Sequence, residues 1–266
     1  MATKQLLLQL SKRMNVPNAA HWFMCGAMCL LVSSAFAQNA ELATKSEKTV
    51  GLTLASYKYD EPSYMALKAT KFGFDFSSTY SPGSKWPNTT DSWFYTTQLS
   101  YFAGGADYTS PISGNLNKTP HWFYEARVLA GKDIDMDTYV LSPYLGLGYR
   151  HLFNNLGYER TSNYTTLPIG ITHKVKLADK SQLHTTLEYV HLLSGAQKVK
   201  LIQNISMDQK SGFGLRFSML KRYDTWSLGP TLTYWNLGQS EVDGLTPIYE
   251  PKNKTLELGI KGALHF

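Results

Sequence analysis

Across most of the chain beyond residue 50, apolar and polar positions alternate with a period of two. Leu141, Pro143, Leu145, Leu147 and Tyr149 are interleaved with Ser142, Tyr144, Gly146, Gly148 and Arg150. The same rhythm carries Leu183, Thr185, Leu187 and Tyr189, and again Trp226, Leu228, Pro230, Leu232 and Tyr234. A strand turns successive side chains to opposite faces, so this rhythm predicts strands with one apolar face. No helical period persists beyond two turns. Ten strands are predicted, near 50–59, 65–79, 92–103, 121–132, 139–152, 163–177, 182–193, 211–221, 225–237 and 254–266.

The connections between them also alternate. Segments 104–120, 194–210 and 238–253 read as long polar loops, 153–162 as a loop of middle length that belongs with them, and 133–138, 178–181 and 222–224 as short turns. Two connections break the rule: 80–91 is long where a short turn is expected, and 60–64 is short where a long loop is expected.

The beginning of the chain adds a compartment. Lys4, Lys12 and Arg13 precede an apolar run from Trp22 to Val32, and residues 1–37 hold no Asp or Glu. That run falls short of the roughly 20 residues a membrane helix needs. Ala35-Phe36-Ala37 has the small–x–small form of a signal-peptidase site, so residues 1–37 read as a cleaved secretory signal, with Met1 or Met14 as the start. A membrane anchor is the alternative. The signal supplies three of the charges behind the formal net charge of +6, so the basic balance gives no reason to expect a nucleic-acid partner. It also contains both cysteines, Cys25 and Cys29, and an exported domain without disulfides must be held by other means.

Alternation alone does not say which face is enclosed. A soluble lipocalin-like barrel turns its apolar face inward, whereas a membrane barrel turns it toward lipid. Four features favour lipid. The polar phase carries charges of both signs together with many glycines, which weaken strands unless an interior is crowded. Blocks of ten to fourteen residues suit a tilted bilayer crossing better than the usual soluble strand. Aromatic residues gather near strand ends on the apolar phase: Phe76, Tyr80, Trp93, Tyr101, Trp122, Tyr149, Tyr189, Trp226 and Tyr234. Long loops on one side and short turns on the other complete the asymmetry. The expected fold is all-β, a transmembrane antiparallel up-and-down barrel of about ten strands, with eight or twelve as alternatives. In hydrocarbon every backbone group must be paired, so such a sheet closes on itself.

The final stretch, LELGIKGALHF (256–266), alternates through Leu256, Leu258, Ile260, Gly262 and Leu264 and ends on Phe266. It resembles the C-terminal signature of bacterial outer-membrane β-barrels, and the chain as a whole is similar to the small opacity-type and porin-like class. The resemblance implies recognition of Phe266 and its strand by the barrel-assembly machinery, a Gram-negative outer-membrane location, and contact with membrane lipid and lipopolysaccharide. The implied organisation is a signal over 1–37, a short periplasmic segment over 38–48, and a monomeric barrel over 49–266.

Ten strands enclose little space. The residues expected in the lumen are Lys71, Asp75, Glu125, Arg127, Arg150, Lys174, Glu188, Arg216, Glu257 and Lys261, six positive and four negative. Buried charge has to be paired, so ladders of ion pairs filling the lumen are expected. The alternative is a narrow, weakly anion-favouring pore for small solutes. A rim-located hydrolase is the second alternative. In EYVHLLSGAQ (188–197), His191 and Ser194 are similar to the His-x-Ser of barrel lipid A deacylases, but their spacing of three places them on opposite faces of a regular strand. Asp133, Asp135 and Asp137 share one parity on a short turn and read as a solvated acidic turn, with a metal site as the alternative. No catalytic, metal or cofactor site is assigned, and the protein is expected not to be an enzyme. Tyr108, Tyr158, Tyr249 and Trp86 sit in the expected loops, where an extracellular ligand would bind. The expected role is structural or surface-interacting.

Overall fold

The computed structural model describes residues 41–82, 93–200, 204–242 and 248–266. The signal expected over 1–37 and Trp86 lie outside these residues. The described residues form twelve strands: β1 Glu47–Glu61, β2 Met65–Tyr80, β3 Trp93–Ser110, β4 Gly114–Lys132, β5 Ile134–Asp135, β6 Tyr139–Asn155, β7 Glu159–Lys176, β8 Gln182–Lys200, β9 Asn204–Gln209, β10 Gly212–Arg222, β11 Trp226–Leu237 and β12 Asn253–His265. Ten of them close an antiparallel ring. β1 pairs β12 from Thr49↔His265 to Asp60↔Lys254, and β10 pairs β8 from Phe213↔His191 to Arg222↔Gln182. β5 is a two-residue ladder on β6, and β9 extends a ribbon with β8. Ten strands leave the start of β1 and the end of β12 at one end of the barrel, here the terminal end. Phe266 sits there on the outer surface, exchanging backbone hydrogen bonds with Lys48.

Apolar side chains point outward around the terminal-end half. Phe72 is 71% exposed, Leu52 66%, Ile260 62% and Leu145 60%. Aromatic rings border this belt, with Tyr80, Trp93, Tyr95 and Trp226 below it and Tyr101, Trp122, Tyr124 and Tyr189 above. The ordering of water-facing and lipid-facing groups that this arrangement needs is that of a bilayer crossing.

The strands do not stop where the belt stops. Segment 104–120, expected to be a loop, is the hydrogen-bonded continuation of β3 and β4, turning only at 111–113. Segments 153–162 and 194–210 are likewise mostly strand, and the turn at Leu156–Tyr158 is tight enough to need Gly157 at φ +85°. Of the four expected long loops, 238–253 is the one that lies mainly outside strands, over its described residues 238–242 and 248–252. The reason is an inversion of polarity. Beyond the belt, Lys58, Lys68, Lys198 and Lys254 face outward, and Tyr57, Tyr59, Met65, Leu67, Ala106, Tyr108 and Leu156 pack inside as a core. The apolar residues have changed parity, so the sequence pattern there looks irregular although the strands continue. Tyr108, expected in a loop, is thus a buried core residue.

Inside the ring, large side chains lie against glycines of neighbouring strands. One ladder row reads Phe94, Gly131, Tyr144, Gly170, Glu188, alternately large and small, in direct register. A methyl group added at Gly131 or Gly170 would overlap the Phe94 or Tyr144 ring. This close approach accounts for the glycines within the strands.

Candidate functional site in the barrel lumen

All ten charged residues expected in the lumen face inward, from seven of the ring's strands. Six of them form one layer. Arg216 donates to both oxygens of Glu125 at 2.7 Å and lies 3.5 Å from Glu188. Arg127 donates to Glu188 at 2.7 Å, and Arg150 to Glu257 at 3.1 Å with Glu125 3.8 Å away. Register sets only part of this: Glu125 stands opposite Arg150, and Glu188 opposite Arg216. The Arg127–Glu188, Arg216–Glu125 and Arg150–Glu257 contacts cross the lumen. Three guanidinium groups against three carboxylates meet the requirement that buried charges be paired and hydrogen-bonded.

The other four separate. Lys261 pairs with Asp75. Lys174 pairs with Asp133 at 3.1 Å, so Asp133 is not part of a solvated turn; it is fully buried and also accepts from Ser142 and Thr44. Among the described residues Lys71 joins no ion pair: its buried Nζ has no hydrogen-bond partner there and sits 3.3 Å from the centre of the Tyr57 ring. A cation over an aromatic face is attracted to it without a hydrogen bond. Next to Tyr57 the buried His121 ring lies 4.5 Å away, and Arg150 covers Phe123 at 3.8 Å.

A second ionic cluster closes the far end. Arg160 donates to Glu61 at 3.1 Å and also to Glu250, and the Tyr59 hydroxyl contacts both carboxyls. Glu250 comes from the 238–252 connection, whose fold-back is held by the Ser240 N–H donating to the Glu250 carbonyl at 3.0 Å. Burial pushes the Glu250 carboxyl up to about 8, against the pull of Arg160 and with Glu61 adding to the rise. These residues were not expected in the lumen. The signal was present: Glu61 continues the inward parity of Tyr57 and Tyr59, and Arg160 that of Ser162 and Tyr164, beyond the expected strand ends.

The lumen is therefore not filled throughout. A cavity of about 780 Å³ occupies the terminal-end half, with the six-residue layer at its inner end. Residues 41–47 run along its mouth: Thr44 contacts Asp133 and Lys174, and Glu47 pairs with Arg222. Beyond the layer, beside Asn154, Trp235 and Asn253, lies a small pocket of about 30 Å³. Among the described residues no group of three His, Cys, Asp or Glu is placed to hold a metal ion. His191 and Ser194 do not lie on opposite faces as a regular strand would put them. Thr165 pairs with Ser194 and Thr166 with Leu192, so a bulge at Leu193 turns both outward, with no hydrogen bond joining the two.

The closed ring, its outward apolar belt and its charged interior decide the class. The fold is that of the outer-membrane β-barrels. The chain aligns with the transport unit of the autotransporter AIDA-I from Escherichia coli at 9% identity and TM-score 0.50, over 89% of this chain and 94% of that one. It also aligns with the translocator domain of the autotransporter NalP from Neisseria meningitidis at 13% identity and TM-score 0.42, over 91% and 96%. Ail, the attachment invasion locus protein of Yersinia pestis, aligns at 11% identity and TM-score 0.36, over 84% and 100%. At such identities the likeness concerns the fold of the outer-membrane barrel and not its activity. No family model and no curated protein sequence matches the chain.

Proposed function

We propose that this outer-membrane barrel is a monomeric, non-conducting surface protein, with its terminal end in the periplasm and its far-end hairpins outside the cell. The observation that carries the reading is the double closure of the lumen, by the Arg127–Arg150–Arg216 layer and by the Arg160–Glu61–Glu250 cluster beyond it. A rigid scaffold with a closed pore has its outer surface left for function. The β3–β4 hairpin rises above the belt and exposes Ile112 and Leu116, and Tyr64 and Tyr249 share a hydrogen bond at the neighbouring turn. Such a tip suits contact with an extracellular protein or glycan. The β12 strand, with Phe266 following it, is the element offered to the assembly machinery, and the belt is the surface offered to lipid and lipopolysaccharide. No catalytic role is proposed.

The anion-favouring pore is the reading this one displaces. Its basis was an excess of inward positive charge, and Asp133 and the sequestration of Lys71 remove that excess from the cavity. Single-channel recording in planar bilayers tests the choice. The expected result is no conductance steps; regular steps at neutral pH sink the closed-barrel reading. Heat-modifiable gel migration of the membrane fraction checks that the barrel is folded.

A further inference from the structure

The terminal-end cavity has two unlike walls. On one, Phe94 and Tyr144 lie over Gly131 and Gly170 on the neighbouring strands, with Leu129 on β4 beside them. These rings line the space as a largely buried apolar platform, with the Lys174 ammonium 5.9 Å from the centre of the Phe94 ring. The other wall is hydroxylic. Five strands round the ring from β4 stands β11, which carries Thr231 and Thr233, and next to it β10 carries Ser218. These three hydroxyls engage no other side chain among the described residues, whereas Thr79–Thr96 and Thr172–Thr186 elsewhere on the wall bond each other. At the inner end, the charged groups are spent on one another.

This distribution selects among ligand classes. An anion gains little, because it would have to break Arg–Glu pairs that already satisfy both partners. An apolar molecule would strip water from Thr231, Thr233 and Ser218 and return no hydrogen bond. A pyranose ring has what both walls require: a C–H face for the rings and a rim of hydroxyls that donate and accept. The cavity of about 780 Å³ lies within the range of small-ligand sites, roughly 300–1,000 Å³. We propose that the cavity is a binding site for a neutral mono- or disaccharide that enters from the terminal end. The site is separate from the extracellular surface, and the proposal stands whether or not the hairpins bind a partner.

The test uses the full barrel in nanodiscs or an amine-oxide detergent, since glycosidic detergents would compete. Glucose, N-acetylglucosamine and maltose are titrated by calorimetry and ligand-observed NMR, with sodium sulfate and benzoate as counter-probes. Saturable binding of at least one sugar is expected, with Kd of about 1 mM or tighter. Thr231→Val combined with Thr233→Val keeps the volume and removes two hydroxyls; it should weaken that binding at least about tenfold. Phe94→Leu should weaken it by removing the platform, and heat-modifiable migration confirms that each variant is folded. Three results overturn the proposal: no saturable binding of any of the three sugars up to about 50 mM, tighter binding of sulfate or benzoate than of any sugar, or sugar binding left unchanged in the folded double variant. The last would place the sugar elsewhere on the molecule.

Discussion

The two halves of this barrel are built on opposite plans from the same strands. In the terminal-end half, Leu52, Phe72, Leu145 and Ile260 face outward, and the interior holds paired charges around a cavity. In the far half, lysines face outward and Tyr57, Tyr59, Leu67 and Tyr108 pack inside, as in a barrel surrounded by water. The strand geometry is continuous through both, so the backbone does not impose either plan. The surroundings do: each wall places apolar groups where lipid or core can take them, and polar groups where water or a partner can. The far half is the reason the lumen is closed, because a packed core and the Arg160 cluster occupy it.

The largest effect expected on this division comes from Glu125→Ala. It leaves Arg216 without its bidentate partner and takes a neighbour from Arg127 and Arg150, and losing one member of a buried pair costs about 3–5 kcal/mol. Urea unfolding in lipid vesicles would show it, and an unchanged midpoint would contradict the layer. Leu67→Ala, in the far-half core, should cost about 2–5 kcal/mol through the cavity it opens. A cost near zero would mean that this half has no true core.

A smaller and reversible effect is expected from pH. Glu250 titrates near 8 when the 238–252 connection is docked, above the ordinary carboxylate value, so docking favours the protonated form. Its contribution is complete below the ordinary value and is lost as pH rises through about 8. The groups facing it are Glu61 and Tyr59 of β1 and Arg160 of β7. Proteolysis of 238–252 should therefore quicken between about pH 6 and pH 9, and Glu250→Gln should flatten the profile. A flat profile in the unmodified protein would break the link. The smallest effect is reserved for Lys68→Gln on the far-half exterior, within about 0.5 kcal/mol of no change. A large loss there would mean that this surface is not simply facing water.

Much of this was legible from alternation. The count of ten ring strands, the closed antiparallel fold and the inward position of Arg127, Glu188 and Glu257 all follow from parity along single strands, and parity is a local property. What parity missed lies where its meaning changed. Tyr108, Glu61 and Arg160 sit beyond the level at which apolar residues switch faces, and a rule that equates apolar with outward reads those stretches as loops. His191 and Ser194 were separated by a spacing rule that one inserted residue, Leu193, undoes. Asp133 lies one step past a strand end and turns inward to meet Lys174.

Strand number and facing direction need only the order of residues along one chain segment, because a pleated ribbon sorts neighbours by position. Which charge meets which is another matter. Glu125 and Arg216 are 91 residues apart and touch across the lumen. Their meeting depends on ring size, strand tilt and two bulges, which exist only once strands are laid side by side. The same is true of the cavity: it is the space left over when ten inward faces close on one another, and no single strand contains it.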